Sequence, residues 1–176
     1  MLKQIIYSVA LGTVALSSGA IATPVTNPAF TPMFSDVSNN TVKIAAYSID
    51  TAALEQSIFN QINKYRISQG LPALTRNSAI DNQVKIHSQN MANGTVPFGH
   101  NGFSERLNAT RISYRSAAEN VAYNQGYSDP ATIAVQGWLR SPGHLANIRG
   151  NYNLTGIGVA KNSQGAIYFT QMFIRS

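Results

Sequence analysis

Apolar positions recur at helical spacing in three stretches of the chain and at strand spacing in three others. Across residues 51–68, Leu54, Ile58, Ile62 and Tyr65 fall three or four apart, which predicts an amphipathic helix stopped by Gly70-Leu71-Pro72. Residues 78–92 repeat the pattern with Ile80, Val84, His87 and Met91. Ser78 with Asp81 predicts a box-like cap at the start of this helix, and Gly94 its end. Asp129-Pro130 opens a third helix with Ala134, Val135, Trp138 and Leu139 inward. Residues 103–108 read as a short helical turn. Strands come late: residues 154–160 and 166–174 flank Asn162-Ser163-Gln164-Gly165 and predict a hairpin, with residues 118–123 as a third strand. Helices first and antiparallel strands afterwards predict α+β layering rather than alternating βαβ units.

The first 49 residues lack this periodicity. Lys3, the apolar run from Ile5 to Leu16 and the small-x-small end Ala20-Ile21-Ala22 predict a secretory signal over residues 1–22. Ser17, Ser18 and Gly19 break the apolar run short of spanning length, so no stable membrane span is expected after cleavage. Residues 23–49, with Pro24, Pro28 and Pro32, read as a flexible spacer, which places the folded domain at 50–176. A chain of 176 residues suits one domain with a sizeable core, expected to be a monomer. With no cysteine, it carries neither a disulfide nor an acylated anchor residue. The formal charge of +6 is spread thinly, with no basic run interleaved with aromatics. Nucleic acid is therefore not an expected partner, whereas acidic polymers or lipid headgroups are compatible ones. The expected destination is the periplasm, the cell envelope or the medium.

Chemistry is confined to few residues. In the run Ser141-Pro142-Gly143-His144, Ser141 is placed to cap a short helix with its hydroxyl, and Pro142 suits the first helical position. His144 would then lie at the positive end of the helix dipole, where the neutral ring is favoured. Asp50, Asp81 and Asp129 sit at helix starts, Glu55 in a first turn and Asp36 in the spacer. That leaves Glu105 and Glu119 without a local structural role. Glu119 lies in an apolar, strand-like stretch, where a buried charge needs a partner. It reads as a metal ligand or general base, or else as a carboxylate fixing a loop through backbone hydrogen bonds. His100 lies in a glycine-bounded turn. His100, Glu119 and His144 together form a two-histidine, one-carboxylate set compatible with zinc or another divalent ion. His87 shares a face with Ile80 and Val84 and reads as a core histidine bonded to backbone. No G-x-S-x-G elbow is present, which excludes that route to a serine nucleophile.

The order His100, Glu119-Asn120, Trp138 with Ser-Pro-Gly-His, then Gly156-Ile157-Gly158-Val159 and residues 168–173, resembles the CAP superfamily over about residues 51–176. This is the group of cysteine-rich secretory, antigen 5 and pathogenesis-related 1 proteins, here of bacterial, SCP-like type. The resemblance implies an α-β-α sandwich with a central antiparallel sheet between helical layers. It also implies a large cleft holding two histidines and two acidic residues. By motif, His100 and His144 match the histidines and Glu119 the first glutamate. Ser141 stands where the second glutamate would be, and no motif places Glu105 in its stead. The family has no single shared reaction, so fold membership does not decide function. Two functions are expected from this reading. One is a non-catalytic module whose cleft binds a divalent metal and a polar envelope ligand, glycan or lipid. The other is a peptide or ester hydrolase using Glu119 with His100 and His144.

Overall fold

The computed structural model describes residues 49–176. The expected signal over 1–22 and the expected spacer, except its last residue, lie outside the described residues. That last residue, Ile49, packs against the core.

The elements follow in the order α1 (Thr51–Ser68), β1 (Thr75–Arg76), α2 (Ser78–Ala92), α3 (Phe103–Ala109), β2 (Ser116–Asn124), α4 (Pro130–Arg140), α5 (Pro142–Arg149), β3 (Leu154–Lys161) and β4 (Ile167–Arg175). The sheet runs β1-β3-β4-β2. β3 and β4 form the expected hairpin, β2 pairs antiparallel with β4, and the two-residue β1 adds a parallel edge to β3. β1 is too short to leave a periodic signal in the sequence. Among the described residues, no helix is long and apolar enough to cross a membrane.

Strand alternation divides the core into two layers. Ile157, Val159, Phe169 and Phe173 face Ile58 and Ile62 of α1 and Ala134, Val135 and Trp138 of α4. Met172 and Ile174 face Ile80 and Val84 of α2 and Leu107 of α3. The result is the α-β-α sandwich. On the α2 side, Gly156 and Gly158 let the helix approach the sheet closely, because a Cβ at either position would lie within 2.5 Å of α2 backbone. Ser88 of α2 donates to the Gly158 carbonyl at 2.8 Å and hydrogen-bonds Thr170 at 2.8 Å, so the contact is polar as well as close.

Several local expectations are corrected. The buried stripe of α1 is Glu55, Ile58, Ile62 and Arg66, one residue round from the apolar stripe read in the sequence. Glu55 is therefore not a first-turn charge: it pairs with Arg76 at 2.8 Å and accepts the Val159 amide at 3.3 Å. Arg66 donates to the carbonyls of Pro72, Ile148, Gly150 and Tyr152, tying α1 to the turn after α5. α2 is capped by Asn77, whose side chain accepts the Ala79 and Ile80 amides, not by Ser78. Asp81 instead accepts the Ile157 amide and binds Arg76. Glu55 and Asp81, placed at helix starts by sequence proximity, thus both find their partners across the fold.

Replacing Gly158 by Ala would put a Cβ 2.3 Å from the Lys85 nitrogen and force α2 off the sheet. We expect a loss of about 1–3 kcal/mol or more in urea unfolding. Gly137→Ala, with nothing within 4 Å of the new Cβ, should be neutral or stabilising.

Candidate functional site

Alternation along β2 sends Glu119 to the α2–α3 face and its neighbour Asn120 to the α1–α4 face. Glu119 is 6% exposed, and a carboxylate so deep requires compensation. Arg106, three residues after Phe103 on the inward side of α3, provides it. The guanidinium NH2 lies 2.7 Å from Oε1 and 2.9 Å from Oε2, and Nε lies 3.2 Å from Oε2. This is a fork-on-fork pair, the strongest geometry for two such groups. Arg106 NH1 also donates to the Asn101 carbonyl at 2.6 Å, fixing the loop that carries His100. His100 Nδ1 donates to Glu119 Oε1 at 3.0 Å. Each carboxylate oxygen thus accepts two contacts, and the roughly four acceptor positions of a carboxylate are filled.

His144 borders this cluster from the other side of β2. It lies in the first turn of α5, and its backbone carbonyl accepts from Asn120 Nδ2 at 3.2 Å. Asn147, one turn on, donates to the Glu119 carbonyl at 3.3 Å and to Asn120 Oδ1 at 2.9 Å. Trp138 Nε1 donates to the Val121 carbonyl at 3.1 Å. The side chains of α4 and α5 therefore satisfy successive carbonyls on the free edge of β2, an edge that would otherwise be a pairing hazard. His144 is 5% exposed, and its Nδ1 is buried without a hydrogen-bond partner. Burial, and then the charge of His100, hold its imidazole down at about 4, below its ordinary 6.5. The neutral ring matches expectation, but desolvation is its main cause rather than the helix dipole. Ser141 does stand at the N-cap position of α5, yet its side chain makes no capping bond to the helix.

Of the expected site residues, the fold joins His100 to Glu119 directly and sets His144 at the border. Glu105 is exposed in the first turn of α3 and takes no part. His87 is a core histidine as expected, its Nε2 2.8 Å from the Gly99 carbonyl. Among the described residues, no three His, Cys, Asp or Glu side chains gather as metal ligands. The chemistry of the cluster agrees, because Arg106 already fills the carboxylate and opposes a second cation. As folded, His100, Glu119 and His144 do not fit the zinc or other divalent ion expected of them. Glu119 is equally ill-placed as a general base, since both oxygens are engaged and buried. The residue that decides this, Arg106, was missed. Its signal was the helical spacing Phe103–Arg106–Leu107 beside a lone buried acid in need of a cation.

The unprotonated His144 has a pH consequence. Between pH 6.5 and about 4 the unfolded chain takes up a proton that the folded chain refuses, so stability falls as pH drops through that window. His87, held down by burial and by Arg106, acts in the same direction. We expect His144 to contribute a loss of roughly 3 kcal/mol by pH 4, read from urea midpoints. His144→Gln should flatten that slope; an unchanged slope would refute the assignment.

Known proteins place this geometry. The family model described as the cysteine-rich secretory protein family, CAP, matches residues 59–173. A curated relative, the "uncharacterized membrane protein YlbC" of Bacillus subtilis (strain 168), is 33% identical over 127 residues, covering 69% of this chain and 34% of that protein. The chain thus spans about a third of that relative's length. An extracellular protein containing a SCP domain from Bacillus anthracis superposes with a TM-score of 0.63 at 27% identity, over 72% of this chain and 41% of that one. An outer surface protein of Borrelia burgdorferi shares the fold with a TM-score of 0.62 at 18% identity, over 72% and 96% of the two chains. With the motif residues assembled on the same sandwich, the chain belongs to the cysteine-rich secretory protein, or CAP, family.

Proposed function

We propose that this protein is a non-catalytic binding module of the cell exterior or envelope, and that its ligand is a glycan. The reading rests on one strip of the sheet. Four residues beyond Glu119, on the same face of β2, Tyr123 stands 39% exposed. It stacks on Tyr168 of β4 with ring centroids 5.6 Å apart and 21° between planes, and Phe98 meets it edge-on at 5.1 Å. Phe98 lies two residues before His100, so aromatic faces and the polar cluster adjoin along β2. At about 3.3 Å per residue, Tyr123 and Glu119 lie roughly 13 Å apart along the strand. Exposed, pre-stacked rings offer flat apolar area to a ligand, and the phenol hydroxyls of Tyr123 and Tyr168 bring hydrogen-bonding groups to the same surface. A sugar chain, apolar on its ring faces and hydroxylated at its edges, fits such a surface better than a lipid headgroup does. The excess of positive charge favours an acidic glycan.

Relatives named as extracellular and outer surface proteins agree with that location. The hydrolase reading gains less support, because Glu119 has no oxygen left to activate water.

Pull-down and calorimetry with cell-wall glycan fragments, alongside anionic phospholipid vesicles, test the proposal. We expect glycan binding that weakens at least tenfold in Tyr123→Ala, about 1.4 kcal/mol or more, with the melting temperature little changed. Binding to vesicles alone, or glycan binding indifferent to Tyr123, would overturn it.

A further inference from the structure

We infer that Arg106 is the resident cation of this cluster, and that its guanidinium keeps the cluster closed to divalent metal ions. The inference concerns the charge of the cluster and stands apart from the identity of the ligand on the aromatic strip.

Three observations carry it. First, every acceptor position of Glu119 is spent within the protein: Oε1 on Arg106 and His100, Oε2 on Arg106 twice. A metal would have to displace a two-point charge-assisted pair whose members are 9% and 6% exposed. Second, an incoming dication would meet the positive guanidinium beside the Glu119 carboxylate. Third, Glu105, next to Arg106 in the chain, is exposed, Asp129 caps α4, and position 141 is a serine. Among the described residues, no second carboxylate joins the cluster to offset the added charge. Within the pair, one carboxylate meets one guanidinium.

The arrangement also explains the direction in which Arg106 is braced. Its NH1 is held by the Asn101 carbonyl, and α3 begins only after Gly102 adopts a left-handed conformation, φ 77°. The loop that presents His100 and the helix that presents Arg106 thus share one turn. A Cβ at Gly102 would press on Arg106 NH1 at 3.3 Å, so the turn and the guanidinium are fitted to one another. Arg106 is a specificity-determining residue: with it the carboxylate of Glu119 is filled; without it, the acceptor positions that Arg106 occupies on Glu119 are vacated beside His100.

Zinc titration by calorimetry and by melting temperature tests this on the purified chain. The wild type and His100→Ala are expected to respond to zinc alike, because the cluster takes none. Arg106→Gln is expected to gain at least tenfold in zinc affinity and to be stabilised by zinc. Arg106→Gln/Glu119→Gln should lose that gain, and Arg106→Lys, which keeps the charge, should remain indifferent. Zinc binding by the wild type that His100→Ala abolishes would overturn the inference, as would a folded Arg106→Gln variant no more responsive than the wild type. If Arg106→Gln folds neither with nor without zinc, the comparison of wild type with His100→Ala decides the matter in the same terms.

Discussion

A carboxylate buried in the middle of an apolar strand governs the organisation of this molecule. Glu119 lies where strand alternation delivers it to the closed side of the sheet, and its charge must be met there. Arg106 meets it from α3 and His100 from the preceding loop. This pairing gives the short α3 a fixed seat, since a seven-residue helix has little stability of its own. Through the Asn101 carbonyl it also sets the conformation of the His100 loop. Removing one partner would strand the other in the interior, which costs far more than the pair itself contributes.

The other side of β2 shows the same economy. β2 is one of the two outer strands of the sheet, and the long motif from Trp138 to Ile148 is the device that covers it. Trp138, Asn147 and the His144 carbonyl bind Val121, Glu119 and Asn120 in turn. The motif that announces the family is thus first a solution to the edge-strand problem. His144 is carried inward by that solution, and its buried Nδ1 is left without a partner. A polar atom in that state is a place where a ligand or a solvent molecule is favoured. The candidate site is therefore split by the strand: a saturated ion cluster on one face and an unsatisfied imidazole at the edge.

Much of the architecture was legible in the chain because it depends on local periodicity. α1, α2 and the β3–β4 hairpin follow from apolar spacing and from Gly70, Gly94 and the Asn162–Gly165 turn. The partners of the charged side chains were not legible, because they are set by contacts across the fold. Asp81 and Glu55 read as helix-start charges, yet each binds Arg76 and a β3 amide. Ser78 has the capping chemistry, but Asn77 has the capping position. The site was half legible. His100 and Glu119 do meet, whereas the divalent ion expected between them has no vacancy once Arg106 is seen. Arg106 stands in a polar helix segment, Ser104-Glu105-Arg106, and the spacing Phe103–Arg106–Leu107 that turns it inward gains meaning only beside the unpaired charge of Glu119.

The coupling between Arg106 and Glu119 underlies both the seating of α3 and the closure of the cluster, and a double-mutant cycle measures it most directly. Urea unfolding of Arg106→Met, Glu119→Gln and the double variant would give the coupling energy. Each single change is predicted to cost about 3–5 kcal/mol, as the surviving charge is left buried and alone. The double variant should recover at least about 2 kcal/mol of the summed loss, because neither charge then remains. Losses that add to within about 0.5 kcal/mol would show that the two groups do not depend on one another, and would contradict a governing role for the pair.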